Sequence, residues 1–175
     1  MTRDRDWRKL YPSAGQDLSR WVLRSLIVAR QGSVVLFDTG FGNKQSDDFF
    51  RPFQLEGDYT LDSQLKDIGL TTNDITDVVL THLHYDHCGG CLLKQGDTIV
   101  PAFPRAKLWI SETQWDTANK PVEKERESFP EENIQPLKDY YPIQLADEGG
   151  YLPGIYFKIV HGHTRGQIIP LIRLE

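Results

Sequence analysis

The residue types with the most chemical potential in this chain fall in two short clusters. His82, His84, Asp86 and His87 lie within six positions, and His161 and His163 follow in a second group. The chain has five histidines in all, and none lies outside these two clusters. Imidazole and carboxylate together suit a borderline divalent ion such as zinc, and histidine used for surface or core reasons would be scattered. His82 and His84 are two apart, so an extended backbone projects both to one side. With His163 they would supply three protein ligands and leave one position for water, the arrangement of a catalytic zinc site. An ion held in this way lowers the pKa of its water toward about 7 and makes hydroxide available to attack a carbonyl or phosphoryl centre. Asp86 and His87 could begin a second site, with only two ligands between them.

Such ligands need rigid elements behind them. Asp77-Val78-Val79-Leu80-Thr81 reads as a buried strand running into the first cluster, and Ile155 to Val160 as a strand running into the second. Trp21 to Ala29 alternates like a strand, Gln31-Gly32-Ser33 is a turn signal, and Val34 to Phe37 is an apolar strand, so a hairpin is expected ahead of Asp38-Thr39-Gly40. A carboxylate at that strand end can reach into a site, although aspartate in such a place more often hydrogen-bonds its own turn. Thr60 to Gly69 has a cap, apolar positions at 61, 65 and 68, and a terminating glycine, which predicts a short amphipathic helix. Lys107 to Ile110 reads as a strand, and Ser111-Glu112-Thr113-Gln114 has capping-box spacing for a helix to about Asn119. Residues 121 to 136, charged and bracketed by prolines, read as a solvated turn or insertion without function. Tyr141 to Ala146 and Gln167 to Leu174 complete the strands, with Pro170 favouring an edge. The Phe49-Phe50-Arg51-Pro52-Phe53 patch fits a pocket mouth and ordinary core filling equally well.

Composition limits the function classes. At 175 residues, 39% hydrophobic and 26% charged, the chain fits one globular domain. Residues 1–19 are read as a polar arm and 20–175 as the domain. A net charge of −5 without a basic run argues against nucleic acid as the partner. No apolar run is long enough for a membrane span or a signal peptide, so a cytoplasmic protein acting on a small molecule is expected, with a homo-oligomer left open. Cys88 and Cys91 make half a zinc site at most and are read as small packing residues near the loop.

His82-x-His84-x-Asp86-His87, preceded by Asp38-Thr39-Gly40 and followed by Gly162-His163-Thr164-Arg165-Gly166, resembles the metallo-β-lactamase-fold superfamily. Within it, Thr81 to Gly90 is similar to metal-dependent hydrolases near the N-acyl homoserine lactone lactonases. The resemblance spans residues 20 to 175. It implies an α/β αββα sandwich with the metal site at one edge, of which this sequence carries the amino-terminal sheet and part of the second. It also implies that His82, His84 and His163 bind a first metal and that Asp86 and His87 contribute to a second. Asp38, together with Thr39 and His161, would stand behind the ligands and orient them. Asp86 and Asp38 are the candidate catalytic groups. The family's bridging aspartate and last histidine have no counterpart, because no Asp or His follows His163. The sequence is therefore expected to be the amino-terminal portion of a longer protein.

These readings converge on a metal-dependent hydrolase in which metal-activated hydroxide attacks an ester, lactone or amide carbonyl. One or two zinc ions are expected, with iron or manganese as alternatives. Two rivals belong to different classes: a mononuclear iron oxidoreductase of the same fold acting on a sulfur substrate, and a catalytically incomplete metal-binding fragment.

Overall fold

A computed structural model describes residues 18–30, 32–57 and 60–173, and most of the expected arm lies outside the described residues. Among the described residues the strands are β1 (Leu26–Arg30), β2 (Ser33–Phe37), β3 (Asp77–Val79), β4 (Leu92–Gln95), β5 (Thr98–Pro101), β6 (Lys107–Ser111), β7 (Ile143–Ala146), β8 (Gly149–Leu152), β9 (Ile155–His161) and β10 (Arg165–Ile172). The helices are α1 (Asp47–Phe50), α2 (Leu61–Asp67), α3 (Tyr85–Cys88), α4 (Glu112–Asn119), α5 (Glu131–Ile134) and α6 (Leu137–Tyr140).

Five strands form one sheet in the order β1-β2-β3-β6-β7. The β1–β2 hairpin is antiparallel, and β3, β6 and β7 extend it in parallel. Strand alternation sends Leu36, Val78, Leu80, Leu108 and Ile110 to one face, where they pack with Leu65, Ala118, Ile134 and Leu137 from the helices. Val35, Phe37, Val79 and Ala146 go to the other face and meet Ile155, Phe157 and Ile168 of the second sheet. That sheet is antiparallel, in the order β10-β9-β8. The layers are thus helices, sheet and sheet, which is the expected sandwich with part of its second sheet.

Some expectations need correcting. The first strand begins at Leu26, not Trp21, and among the described residues Trp21, Val22 and Leu23 are exposed, Trp21 by 86%. The β4–β5 hairpin and β8 are further elements, built of four-residue strands too short for a two-residue period to mark them. Ser111 does cap α4 by accepting from the Gln114 amide, but the Gln114 side chain makes no return bond, so the capping box is half formed. The 121–136 stretch is not wholly solvated: Phe129, Asn133 and Ile134 are buried. Pro170 lies on the edge strand β10, as its missing donor requires. No helix among the described residues is long and apolar enough to cross a membrane.

Candidate metal centre

The first histidine cluster begins where β3 ends. Leu80 donates to the Trp109 carbonyl of the first sheet at 3.0 Å, and the Thr81 carbonyl accepts from Ile168 of β10 at 2.8 Å. The strand end is therefore held by both sheets, and His82 and His84 project from a backbone that neither sheet can release alone. Thr81 Oγ1 lies 3.1 Å from His82 Nδ1, which orients that ring and directs Nε2 away.

His163 arrives from the other sheet, in the turn between β9 and β10. The turn is pinned by Gly166, whose amide donates to His161 Nδ1 at 3.1 Å and whose carbonyl accepts from Ser111 Oγ. One ligand atom from each of His82, His84 and His163 lies within 4.8 Å of the others. The ring centroids are 4.7 Å apart for His82–His84 and His84–His163 and 5.0 Å for His82–His163. His82 and His84 are buried, and His163 is exposed, so the trio opens to solvent on one side.

The donor set suits a divalent metal. Nε2 of His82 and of His84 are buried and have no hydrogen-bond partner, which would be costly for groups left without a ligand. Burial and the neighbouring imidazoles push the His82 pKa down to about 3 and that of His84 to about 4. Both rings are thus neutral near pH 7, the form in which imidazole binds a metal.

Asp38, Asp86 and His87 form a separate network beside the trio. The Asp38 carboxylate accepts from the Thr81 amide at 2.8 Å and from Thr81 Oγ1 at 2.7 Å, and its Oδ2 lies 2.8 Å from His87 Nδ1. The other His87 nitrogen, Nε2, lies 3.4 Å from Asp86 Oδ2. Burial opposes charge on His87, but the two carboxylates outweigh it and lift its pKa to about 9. Asp86 is held below its usual range: burial alone would raise it, and His87 overcomes that. Thr39 donates from both its amide, at 2.7 Å, and its hydroxyl, at 3.0 Å, to the His87 carbonyl. The structure therefore gathers His82, His84 and His163 into one group, pairs Asp86 with His87, and sets Asp38 and Thr39 behind them. His161 supports the turn through Gly166.

Several contributors were missed in the sequence. Lys44 donates Nζ to the carbonyls of Gly89 and Leu92, at 2.8 Å in the latter case, and burial pushes its pKa down. It holds the carboxy-terminal side of α3 against the loop after β2. A Cβ on Gly89 or Gly90 would collide with the carbonyl of Phe41 or Thr39, so the two loops meet backbone to backbone. Cys88 and Cys91 are free and buried, and burial drives both thiols up, Cys91 to about 12. As protonated thiols they fill space, in keeping with their reading as packing residues. The Phe49–Phe53 patch joins Phe41 and Tyr85 in a cluster of rings, with Phe41 stacked on Tyr85 at 5.5 Å. Since Tyr85 lies between His84 and Asp86, this apolar wall adjoins the site.

An imidazole trio at the edge of two packed sheets defines a protein built to hold a metal ion where the sheets meet. Residues 23–174 match the family model of the metallo-beta-lactamase superfamily, and the chain belongs to that superfamily. Over 95 residues it is 32% identical to a probable metallo-hydrolase of Mycobacterium bovis, covering 49% of this chain and 27% of that protein. A probable metallo-hydrolase of Mycobacterium tuberculosis gives the same values, so the chain spans about a quarter of the length of these curated relatives. Among solved structures, a probable metal-dependent hydrolase from Staphylococcus aureus superposes with a TM-score of 0.86 at 22% identity, covering 97% of this chain and 60% of that one. AidC, described as a dizinc quorum-quenching lactonase in complex with a product, superposes at 0.67 with 24% identity, covering 86% of this chain and 52% of that one. At these identities the superpositions establish the shared fold.

Proposed function

We propose that this protein is a metal-dependent hydrolase of an ester or lactone carbonyl, with zinc held by His82, His84 and His163. The observation that carries the reading is the pair of buried, partnerless Nε2 atoms on His82 and His84, gathered with a His163 nitrogen within 4.8 Å. A divalent ion bound there would supply Lewis acidity toward a carbonyl oxygen and acidify a water molecule.

The chain's own residues do the rest. Thr81 fixes the His82 ring, and Asp38 fixes Thr81 and His87 together. Asp86, ionised at neutral pH, offers a carboxylate oxygen as a proton acceptor beside the trio, or as a ligand with His87 for a second ion. The open side at His163 admits the substrate, and the rings of Phe41, Phe49, Phe53 and Tyr85 suit an apolar acyl group. Lactone or ester as the substrate class is supported by the likeness to quorum-quenching lactonases, to which the chain compares at 20–24% identity. The proposal extends to a small-molecule substrate in the cytoplasm and to self-association of the chain.

Metal content by elemental analysis, combined with hydrolysis of a series of lactones and aryl esters, tests the reading. Zinc at one or two per chain, and hydrolysis abolished in His163→Ala, is the expected result. Iron with oxygen consumption would favour oxidation of a sulfur substrate, and tight metal without turnover would favour an incomplete catalytic module.

A further inference from the structure

One segment outside the histidine motif touches both sides of the trio. Between Pro121 and Pro130 a 3-10 helix, Glu123–Ser128, carries the sequence Glu-Lys-Glu-Arg-Glu-Ser, and its Arg126–Glu123 pair at 3.1 Å is solvent-exposed. Yet Phe129 is only 4% exposed, and its ring centroid lies 4.8 Å from that of His84, edge to face at 61°. Glu125 Oε2 accepts from Thr164 Oγ1 at 3.4 Å, the long end of the hydrogen-bond range, and Thr164 is the buried residue directly after His163. His84 belongs to the loop after β3 and His163 to the turn between β9 and β10, so the segment makes one contact on each side of the seam. It is anchored behind by the buried Ile134 and by Asn133, whose Oδ1 accepts from Gln45 Nε2 at 2.8 Å.

Two imidazoles that must share one ion, yet come from different sheets, depend on their surroundings for their separation. Zinc–nitrogen bonds are about 2.0–2.1 Å, so a small shift of one loop forfeits a ligand. We propose that residues 121–130 form a positioning strap that sets the His84–His163 geometry and through it the metal affinity. Phe129 acts on the plane of the His84 ring, and Glu125 acts on His163 through Thr164. Both are positioning residues that touch no ion. This inference rests on the reading of the trio as a metal site.

The test is zinc affinity by competition with a chromophoric chelator, with the cobalt(II) ligand-field spectrum as a second readout. The set comprises the unaltered protein, His163→Ala, Phe129→Leu, Glu125→Ala, Glu125→Gln, Thr164→Val and the double variant Glu125→Ala with Thr164→Val. Loss of a partner of a metal ligand typically weakens binding by about 10–100-fold, so Phe129→Leu and Glu125→Ala are expected to weaken zinc by roughly tenfold and to shift the cobalt bands. Glu125→Gln, which keeps an oxygen acceptor for Thr164, should recover most of that loss. Glu125→Ala combined with Thr164→Val should be no weaker than either alone, because both break one contact. Thermal unfolding of the metal-free variants shows whether each is folded, and if Phe129→Leu is not, the variants at the partly buried Glu125 decide. Affinities within twofold of the unaltered protein for the strap variants, with binding lost in His163→Ala, would overturn the strap and leave the metal site standing. No zinc binding by the unaltered protein would overturn the site itself.

Discussion

Asp38 is the residue on which two networks meet. It adopts φ +57, a left-handed conformation uncommon outside glycine, asparagine and aspartate, and in that conformation its carboxylate reaches Thr81 and His87 at once. Asp38→Ala puts alanine in a left-handed conformation and removes the carboxylate that pairs with the Thr81 amide and His87 Nδ1. The expected loss is about 2–4 kcal/mol of stability, read from denaturant unfolding. Asp38→Asn, which tolerates the same backbone and keeps one carbonyl oxygen, should lose less. The histidines also give the metal-free protein a pH signature. His82 and His84 have folded pKa values lowered to about 3 and about 4, so the unfolded chain binds their protons first, and stability falls as pH drops from 6.5 toward 3. His87 is raised to about 9, so its contribution is complete below 6.5 and is lost as pH rises through 9. Thermal unfolding of the metal-free protein against pH should therefore peak near 6.5, more steeply on the acid side, where two histidines act against one. A flat profile between pH 5 and 8 would contradict these environments.

At the scale of elements, the site depends on a strand bulge docked on a helix start. Gly166 has φ +82 at the register shift between β9 and β10, and an added Cβ would lie 2.5 Å from the Gln114 amide nitrogen and 2.8 Å from Ser111 Oγ. Gly166→Ala must push β10 away from α4 or deform the turn that carries His163. A loss of about 2–4 kcal/mol is expected, hence a melting-point drop of roughly 5–15 °C for a chain of this size, with weakened metal retention. This arrangement also explains what could be read in advance. The Thr81–Gly90 motif, the Gly162–Gly166 turn and the strands beneath them were legible because ligand spacing and buried apolar runs are local signals. The docking of Gly166 on α4, the burial of Lys44 and the contact of Phe129 with His84 were not. Each is decided by segments 40 or more residues apart, and the charged run around Glu125 gives a solvated pattern whether or not one residue of it turns inward. Asp38 lay between these cases: its position was legible, but its partners Thr81 and His87 depended on the parallel pairing of β2 with β3.

At the scale of the whole molecule, the part of the second sheet carried by the described residues has two unlike faces. Ile159, Phe157 and Ile155 of β9 face the first sheet, whereas the cross-strand partners Tyr156 and Leu171 lie on the outer face and are 43% and 50% exposed, with Ile169 beside them at 42%. Lys158 opposite Ile169 and the edge position of Pro170 interrupt this surface and limit strand-to-strand addition along β10. Apolar side chains grouped on a sheet face favour burial against another layer, either further sequence of the same protein or a second copy of the chain. Replacing Ile169 and Leu171 by lysine should leave zinc stoichiometry unchanged, because the inner residues and the Ile168 amide bond to Thr81 are untouched. Sedimentation velocity should show concentration-dependent self-association falling in the double variant. If the sedimentation profile does not change, association is driven by another surface, and the first to examine would be the half-exposed ring cluster around Tyr85. That cluster adjoins the histidines, so association through it would compete with substrate entry, whereas association through the outer sheet face would leave the open side at His163 accessible.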